Sequence, residues 1–179
     1  MSGGEKHLAT FDHVAEHGVE ELMKPNPYGR YVEGRDLIEA LTATPEHIAA
    51  VVARWNENAF DRTYAPGKWS ARQILVHLAQ AELVFSNRVR FALAEPGYVV
   101  QPFEQDPWMA LETQPSGRQA LDAYLALRRF SLPLWRALTP EQRSHRFMHP
   151  EHGELDVNWL FTLIAGHELN HVPQLEAIR

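Results

Sequence analysis

Apolar residues recur along the chain with the 3.6-residue period of amphipathic helices, and four long segments carry this pattern. The first is predicted to begin at Thr44, a good N-cap, with Pro45 at the first helical position, and to end near Asn58. Upstream of it, a shorter apolar group indicates one or two further helical turns: Leu37, Ile38 and Leu41.

The second helix has the clearest start in the sequence. Ser70 and Gln73 form a capping box, in which each side chain accepts a hydrogen bond from the backbone N–H of the other residue. The apolar face begins at Ile74, and Pro96-Gly97 ends the helix. Residues 97–115 are predicted to form a long connection, of the kind that covers a functional site or crosses the end of a bundle.

The third and fourth helices also begin at recognisable caps. Ser116 begins the third helix, and Pro133 is expected to kink or split it. Thr139 caps a short helical turn. A polar, histidine-rich stretch at 145–155 then leads to the fourth helix, which is capped by Asp156.

Four long amphipathic segments with little β patterning predict an all-α protein, a four-helix bundle with a short N-terminal helical extension. The extension is assigned to residues 1–33, in which 8–24 favour a short helix that the Pro25–Gly29 stretch breaks. The bundle domain is assigned to residues 34–179.

The composition is that of an ordinary folded domain, with 45% hydrophobic and 22% charged residues. A net charge of −6 without any basic run argues against binding to nucleic acid. No apolar run is long enough to cross a membrane and the N-terminus lacks a signal peptide's apolar core, so a cytoplasmic location is expected. Because the chain has no cysteine, any metal must be held by histidine and carboxylates.

The most distinctive local string is His167-Glu168-Leu169-Asn170-His171, which reads H-E-x-x-H. On a helix, histidines four residues apart lie on one face and can bind one metal ion, and in zinc proteases the intervening Glu is the general base. The metzincin pattern has a third histidine ten residues after the first, where this chain has Ala177. Either the string binds no metal, or its third ligand lies far upstream.

Three histidines occupy the apolar faces of predicted helices: His77 on the second, and His167 and His171 on the fourth. Burying an imidazole nitrogen without a partner costs roughly 1–3 kcal/mol, and one divalent cation would relieve that cost for all three. The alternative is a metal-free bundle in which each histidine hydrogen-bonds to other groups of the protein.

Three stretches carry a resemblance to a known family. The first runs from Gly67-Lys68-Trp69-Ser70 through Ile74 to Glu82 and contains His77, the second is residues 149–155, and the third is residues 165–175. Together they resemble the DinB/YfiT-like superfamily of metal-binding four-helix bundles. They correspond to its Trp-Ser helix start and first ligand, the turn before its last helix, and its His-x-x-x-His-x-x-Gln signature. The resemblance covers about residues 34–179.

The resemblance implies one bound divalent metal, commonly zinc or nickel, with His77, His167 and His171 as ligands. It also implies a small-molecule substrate. Family members with known roles include S-transferases and isomerases that use low-molecular-weight thiols such as bacillithiol or mycothiol, and many others carry only the general label of metal-dependent hydrolase. Three neutral ligands leave the metal an open position, which suits a hydrolase and a thiol S-transferase equally.

The sequence leaves open whether the protein is an enzyme. The alternative is a non-catalytic module for metal binding or for oligomerisation. A homodimer is expected only from the general frequency of such assemblies. His149 and His152 are expected at the end of the bundle, where they either contact substrate or lie in a solvated loop.

Several polar residues near the predicted ligands are candidates for supporting roles. Glu168 is the candidate catalytic base by analogy with zinc proteases, but it lies about 100° around the helix from His167, which favours a salt bridge instead. Candidates to hydrogen-bond the ligating imidazoles are Glu82, Glu168, Asn170 and Gln174.

Overall fold

Six α-helices make up most of the described part of the chain, residues 23–178, in this computed structural model. In chain order they are α1 (Leu37–Val52), α2 (Ala71–Ala94), α3 (Gln105–Leu111), α4 (Gly117–Ala137), α5 (Pro140–Arg143) and α6 (Val157–Glu176). Two short antiparallel strands, β1 (Arg146–His149) and β2 (Gly153–Asp156), precede α6. Short 3₁₀ helices lie at Gly29–Tyr31 and Glu57–Asp61.

The four long helices pack as a ring in which α1 and α2 each contact α4 and α6. The consecutive helices α1 and α2 therefore face each other across the diagonal of the bundle. Two apolar clusters fill the interior, one containing Trp135 and Phe161 and the other containing Ile74 and Tyr124. The predicted all-α four-helix bundle is confirmed.

Side-chain caps begin four of the helices where the sequence predicts them. The Ser70 hydroxyl accepts a hydrogen bond from the Gln73 N–H at 3.3 Å, and the Gln73 side chain accepts from the Ser70 N–H at 2.9 Å. Ser116 and Thr139 form the same capping box, and Asp156 caps α6. These helix starts depend only on neighbouring residues, and all four predictions are confirmed.

The predicted bounds of the first helix are wrong. α1 begins well before Thr44, because the Asp36 carboxylate accepts a hydrogen bond from the Glu39 N–H at 2.8 Å and provides an earlier cap. The short turns predicted upstream and the first helix are therefore one continuous helix. Asn58, the predicted end, lies instead in the following 3₁₀ helix.

Pro45 consequently lies inside α1 rather than at its start. Proline has no backbone N–H, so it cannot donate to the carbonyl four residues earlier, which is that of Leu41. That carbonyl accepts a hydrogen bond from Nη1 of Arg128 on α4 at 2.7 Å. A partner from another helix thus satisfies the group that the proline leaves free.

Three further segments depart from the sequence prediction. α4 continues through Pro133 without interruption, so the helix is not split there, and the alternative of a kink stays a prediction. The 97–115 connection contains the short helix α3. The polar stretch at 145–155 forms most of the β1–β2 hairpin, and Gly153, with φ of 75°, adopts the left-handed conformation that begins β2. Strands of four residues lie at the lower limit at which alternation indicates a strand.

The residues before α1 lie against α6. A Cβ atom placed on Gly166 would lie 2.4 Å from the Tyr28 carbonyl oxygen, so the two backbones touch there. Nearby, the Tyr31 hydroxyl donates to Oδ1 of Asn170 at 2.6 Å. The glycine within α6 is therefore required by the close approach of the N-terminal segment.

Two predictions about the N-terminal region stay largely outside the structure. The helix predicted for 8–24 falls outside the described residues except for its last two, which are not helical. The division into an extension of residues 1–33 and a domain of residues 34–179 stays a prediction. Within residues 23–178, no helix is long and apolar enough to span a membrane.

Gly166→Ala should lower the free energy of unfolding by about 1–3 kcal/mol, because a methyl group is forced against the Tyr28 backbone. Helix propensity alone predicts the opposite sign, a gain of roughly 1 kcal/mol. Urea unfolding of the two proteins measures the difference. A more stable Gly166→Ala variant would show that Tyr28 does not press on α6.

Candidate metal centre

The three histidines singled out by the sequence converge between α2 and α6. Nε2 of His167 lies 2.8 Å from Nε2 of His77 and 3.2 Å from Nε2 of His171. All three residues are buried, with exposed fractions of 3–6%. His167 and His171 share one face of α6, and the packing of α2 against that face brings in His77.

Burial keeps these imidazoles neutral. Burial, with a smaller contribution from the neighbouring His171, lowers the pKa of His77 to about 3. Burial also holds the pKa of His167 well below its ordinary range, with contributions from the two other rings. Burial lowers the pKa of His171, while its hydrogen bond to Gln174 acts in the opposite direction. Neutral imidazoles carry the lone pairs that metal binding requires.

Gln174 selects the tautomer of one of these rings. Nδ1 of His171 lies 2.9 Å from Oε1 of Gln174, and an amide oxygen only accepts hydrogen bonds. Nδ1 of His171 therefore carries the proton, and its Nε2 presents a lone pair toward His167. This is the supporting role predicted for Gln174, since an imidazole bonded through one nitrogen is oriented to ligate through the other.

Hydrogen bonding among the three rings cannot satisfy both close contacts. Nε2 of His167 faces two other Nε2 atoms, and the one on His171 presents a lone pair. A proton on Nε2 of His167 can point at only one of the two neighbours, and a lone pair there faces the lone pair of His171, so neither tautomer of His167 completes both contacts. Two nitrogens bound tetrahedrally to one zinc ion lie roughly 3.3 Å apart, close to the observed separations. The donor set therefore fits a single cation.

Aromatic side chains surround the three histidines. The Trp69 ring lies 4.9 Å from that of His77, and the Phe103 ring stacks on His77 at 6.3 Å. The Tyr28 ring meets His167 edge-on at 5.3 Å. Nδ1 of His77 is buried and has no hydrogen-bond partner among the described residues. This shell limits the access of water to the ligand nitrogens.

A cavity of about 300 Å³ opens beside the three imidazoles. None of the described residues that line it is a carboxylate, and no His, Asp or Glu of residues 23–178 joins the three histidines as a fourth donor. Its other polar lining residues include Tyr28, Lys68, Gln105, Asn170 and Gln174.

Glu168 belongs to a different group in the centre of the bundle. Arg128 of α4 donates from Nη2 to Glu82 at 2.7 Å and from Nη1 to Oε2 of Glu168 at 3.1 Å. The same guanidinium bonds the Leu41 carbonyl, so one side chain joins α4 to α1, α2 and α6. All three charged residues are 2% exposed. Glu82, a candidate partner of the imidazoles, instead pairs with Arg128.

Glu168, the candidate catalytic base, forms the salt bridge that its position on the helix favours. Burial raises the pKa of this carboxyl to about 7, although Arg128 acts against the shift. The carboxylate is held by the guanidinium and does not line the cavity beside the histidines. The role of Arg128 was not predicted from the sequence, although its position one turn after the buried Tyr124 on an apolar face was the available signal.

Comparison with known proteins identifies the family of this bundle. Residues 40–175 match the sequence model of the DinB superfamily. The chain belongs to that superfamily. A "Putative metal-dependent hydrolase" of Oceanobacillus iheyensis is 25% identical over 142 residues, which covers 79% of this chain and 83% of that protein. One from Bacillus mycoides is 23% identical over 146 residues, with the same coverage of 79% and 83%.

Two solved structures share the fold of this chain. YfiT from Bacillus subtilis, described as a probable metal-dependent hydrolase with an unusual four-helix bundle topology, superposes with a TM-score of 0.70 at 21% identity. The match covers 90% of this chain and 91% of YfiT. A mycothiol-dependent maleylpyruvate isomerase superposes with a TM-score of 0.64 at 14% identity, over 80% of this chain and 62% of the isomerase. The family predicted from sequence is confirmed.

Proposed function

We propose that this DinB-superfamily protein is a metal-dependent enzyme in which His77, His167 and His171 hold one divalent cation beside a small-molecule cavity. The main observation behind this proposal is that three neutral imidazoles converge without a fourth His, Asp or Glu donor in residues 23–178. An incomplete protein ligand set is the arrangement of catalytic rather than structural sites. The relatives named as metal-dependent hydrolases support this proposal.

The histidine-only donor set suits zinc or nickel. Such a cation, when bound, acidifies water or a thiol at its open position and so supplies a nucleophile for hydrolysis or for thiol transfer. The chain's own residues keep the ligands deprotonated by burial and orient His171 through Gln174. Hydrolysis is the leading candidate reaction.

Tyr28 is placed to hydrogen-bond a substrate in the cavity. Burial raises the pKa of its hydroxyl, and Tyr31 raises it further, so Tyr28 stays protonated at neutral pH and can donate. Lys68 lines the same cavity and adds a positive charge at its exposed side. These two groups suit a substrate with an oxygen-rich reacting group.

Thiol transfer is the second candidate, and one observation favours it. No carboxylate of the described residues lines the cavity of about 300 Å³, so a base for water is not part of that cavity; Glu104 and Asp106 line the neighbouring cavity that His77 and His167 also border. A thiol ionises at lower pH than water and needs a base less. The shared fold of the mycothiol-dependent isomerase adds support to a low-molecular-weight thiol as cosubstrate.

Metal analysis of protein purified without an affinity tag tests the site. We expect about one zinc or nickel per chain after reconstitution, and about tenfold less in a His167→Asn variant. His145→Asn, which changes an exposed histidine outside the cluster, is the matched control. Circular dichroism verifies that each variant is folded. A wild-type protein that binds no metal after reconstitution would overturn the proposal.

A parallel activity screen separates the candidate reactions. Esters and amides test hydrolysis, and electrophiles with added bacillithiol or mycothiol test thiol transfer. Either activity should disappear in His167→Asn and persist in His145→Asn. A metal-loaded protein without activity in both screens, in which a further protein donor closes the coordination shell, would identify a non-catalytic module instead.

A further inference from the structure

Arg88 of α2 is a buried cation without a paired anion. It is 6% exposed, and within residues 23–178 its one hydrogen bond runs from Nη2 to the Gln101 carbonyl at 2.7 Å. It forms no ion pair with a carboxylate of that part of the chain, although the exposed Glu151 lies near enough to act on its pKa, whereas Arg128, which is 2% exposed, has two ion pairs. A guanidinium has five N–H donors, and a buried charge without a counter-ion costs several kcal/mol. Arg88 therefore has unused capacity for an anion.

Arg88 lines a cavity of about 180 Å³ at the β1–β2 end of the bundle, together with His149 and His152. The Glu151 N–H donates to Nδ1 of His149 at 3.2 Å, so the neutral His149 ring carries its proton on Nε2. This N–H is a second donor beside the guanidinium. The two histidine rings lie 4.6 Å apart, and Trp159 packs on His152 at 5.6 Å.

This cavity adjoins the three-histidine centre. Phe85, Phe103 and Glu104 line both it and a neighbouring cavity of about 340 Å³, which His77 and His167 also line. A molecule could therefore extend from the histidine centre, past two phenylalanine rings, to Arg88. The aromatic middle of this path suits an apolar segment of a ligand.

We propose that Arg88 and His149 form an anion subsite that binds a carboxylate at the far end of an elongated substrate or cosubstrate. The assignment of that molecule's other end to the three histidines rests on the function proposed above. Arginine suits this role because its planar guanidinium pairs with a carboxylate through two parallel hydrogen bonds. The subsite therefore selects ligands in which an apolar segment separates an acid group from the reacting group.

A cation is the competing occupant, because donor atoms of His149, Glu151 and His152 lie within 4.8 Å of one another. Three observations favour an anion as the occupant of this cavity. The buried Arg88 charge borders the same cavity, and Nδ1 of His149 already accepts from a backbone N–H. Lys24 adds a second positive charge, with its Nζ 2.6 Å from the Glu151 carbonyl oxygen. The carboxylates of Glu104 and Glu151, which also line the cavity, are exposed to solvent.

Calorimetric titration of the metal-free protein with 3-phenylpropionate tests the subsite, because without metal the carboxylate has no cation at the histidine centre. The neutral analogue 3-phenylpropionamide should bind about tenfold more weakly than the acid. Arg88→Gln should weaken binding of the acid about tenfold and leave that of the amide unchanged. Arg90→Gln, on the same helix but bonded to Ser86 and Ser131 outside the cavity, should change neither.

Equal affinity for acid and amide, or an Arg88→Gln variant that binds the acid as well as wild type, would overturn the proposal. If Arg88→Gln does not fold, Arg88→Lys and His149→Gln replace it, and each should weaken the acid selectively. A second zinc equivalent that is lost in His152→Ala, without acid binding in wild type, would assign the cavity to a cation instead. These titrations need no turnover, so a protein inactive in every screen can still confirm the subsite.

Discussion

Replacing Arg128 with methionine should lower the free energy of unfolding by about 3–5 kcal/mol. The substitution leaves Glu82 and Glu168 buried without their cation and leaves the Leu41 carbonyl without its donor. Methionine is long and flexible enough to occupy most of the vacated space, so the expected loss is mainly electrostatic. Urea unfolding at pH 7, followed by circular dichroism, measures it.

Two further variants show whether uncompensated charge is the cause. Arg136→Met changes an exposed arginine of the same helix, bonded to the Thr42 hydroxyl, and should alter stability by no more than about 0.5 kcal/mol. A triple variant that adds Glu82→Leu and Glu168→Met to Arg128→Met should regain most of the loss. If the triple variant is as unstable as the single one, the cost lies in packing and not in charge.

Lowering the pH from 7 to 5 should destabilise the metal-free protein, with His77 alone contributing about 2 kcal/mol. In the unfolded chain this imidazole binds a proton as the pH falls below its ordinary pKa of 6.5, but in the folded protein its pKa is about 3. The unfolded state then takes up more protons, so stability present above pH 6.5 is lost as the pH falls. The pKa values of His167 and His171 shift in the same direction.

Glu168 acts against this trend. Its folded-state pKa of about 7 lies above the ordinary 4.5, so the folded protein takes up a proton that the unfolded chain does not yet bind. The stability it contributes is present at low pH and is lost as the pH rises through 7. The total pH dependence should therefore be shallower than the sum over the three histidines.

Comparison of variants isolates the contribution of His77 to the pH dependence of stability. The difference in unfolding free energy between wild type and His77→Asn, measured without metal, should change by about 2 kcal/mol between pH 7 and pH 5. His145→Asn removes a ring that is exposed to water, and its curve should run parallel to that of wild type. Parallel curves for His77→Asn as well would mean that the folded protein protonates His77 freely.

Helix starts were predictable in this chain where the capping interaction is local. Ser70, Ser116, Thr139 and Asp156 each bond within their own first turn, so three or four consecutive residues contain the whole signal. Thr44 and Pro45 present an equally good local signal that the fold overrides. The helix begins instead at the Asp36 cap, and its passage through Pro45 is supported by Arg128, 87 residues from the Leu41 carbonyl, which no local pattern contains.

The residues of the candidate site were likewise predictable only in part. His77, His167 and His171 were predictable because histidine on an apolar helix face demands a partner, and the family resemblance indicated that the two faces meet. The pairing of Glu168 with Arg128 was not predictable, because Arg128 lies 40 residues away on α4, diagonally across the bundle from α6. Arg88 likewise looks like any arginine of an amphipathic helix until the hairpin and α2 enclose it.

The shared Leu41 carbonyl makes positions 45 and 128 interdependent, although 83 positions separate them in the numbering of the sequence. A residue with an N–H at position 45 would restore the regular helix bond and compete with the guanidinium for one oxygen. Substitutions that look beneficial by helix propensity would then weaken the centre of the bundle. The two positions should therefore show epistasis, with each residue tolerated best in the presence of the other.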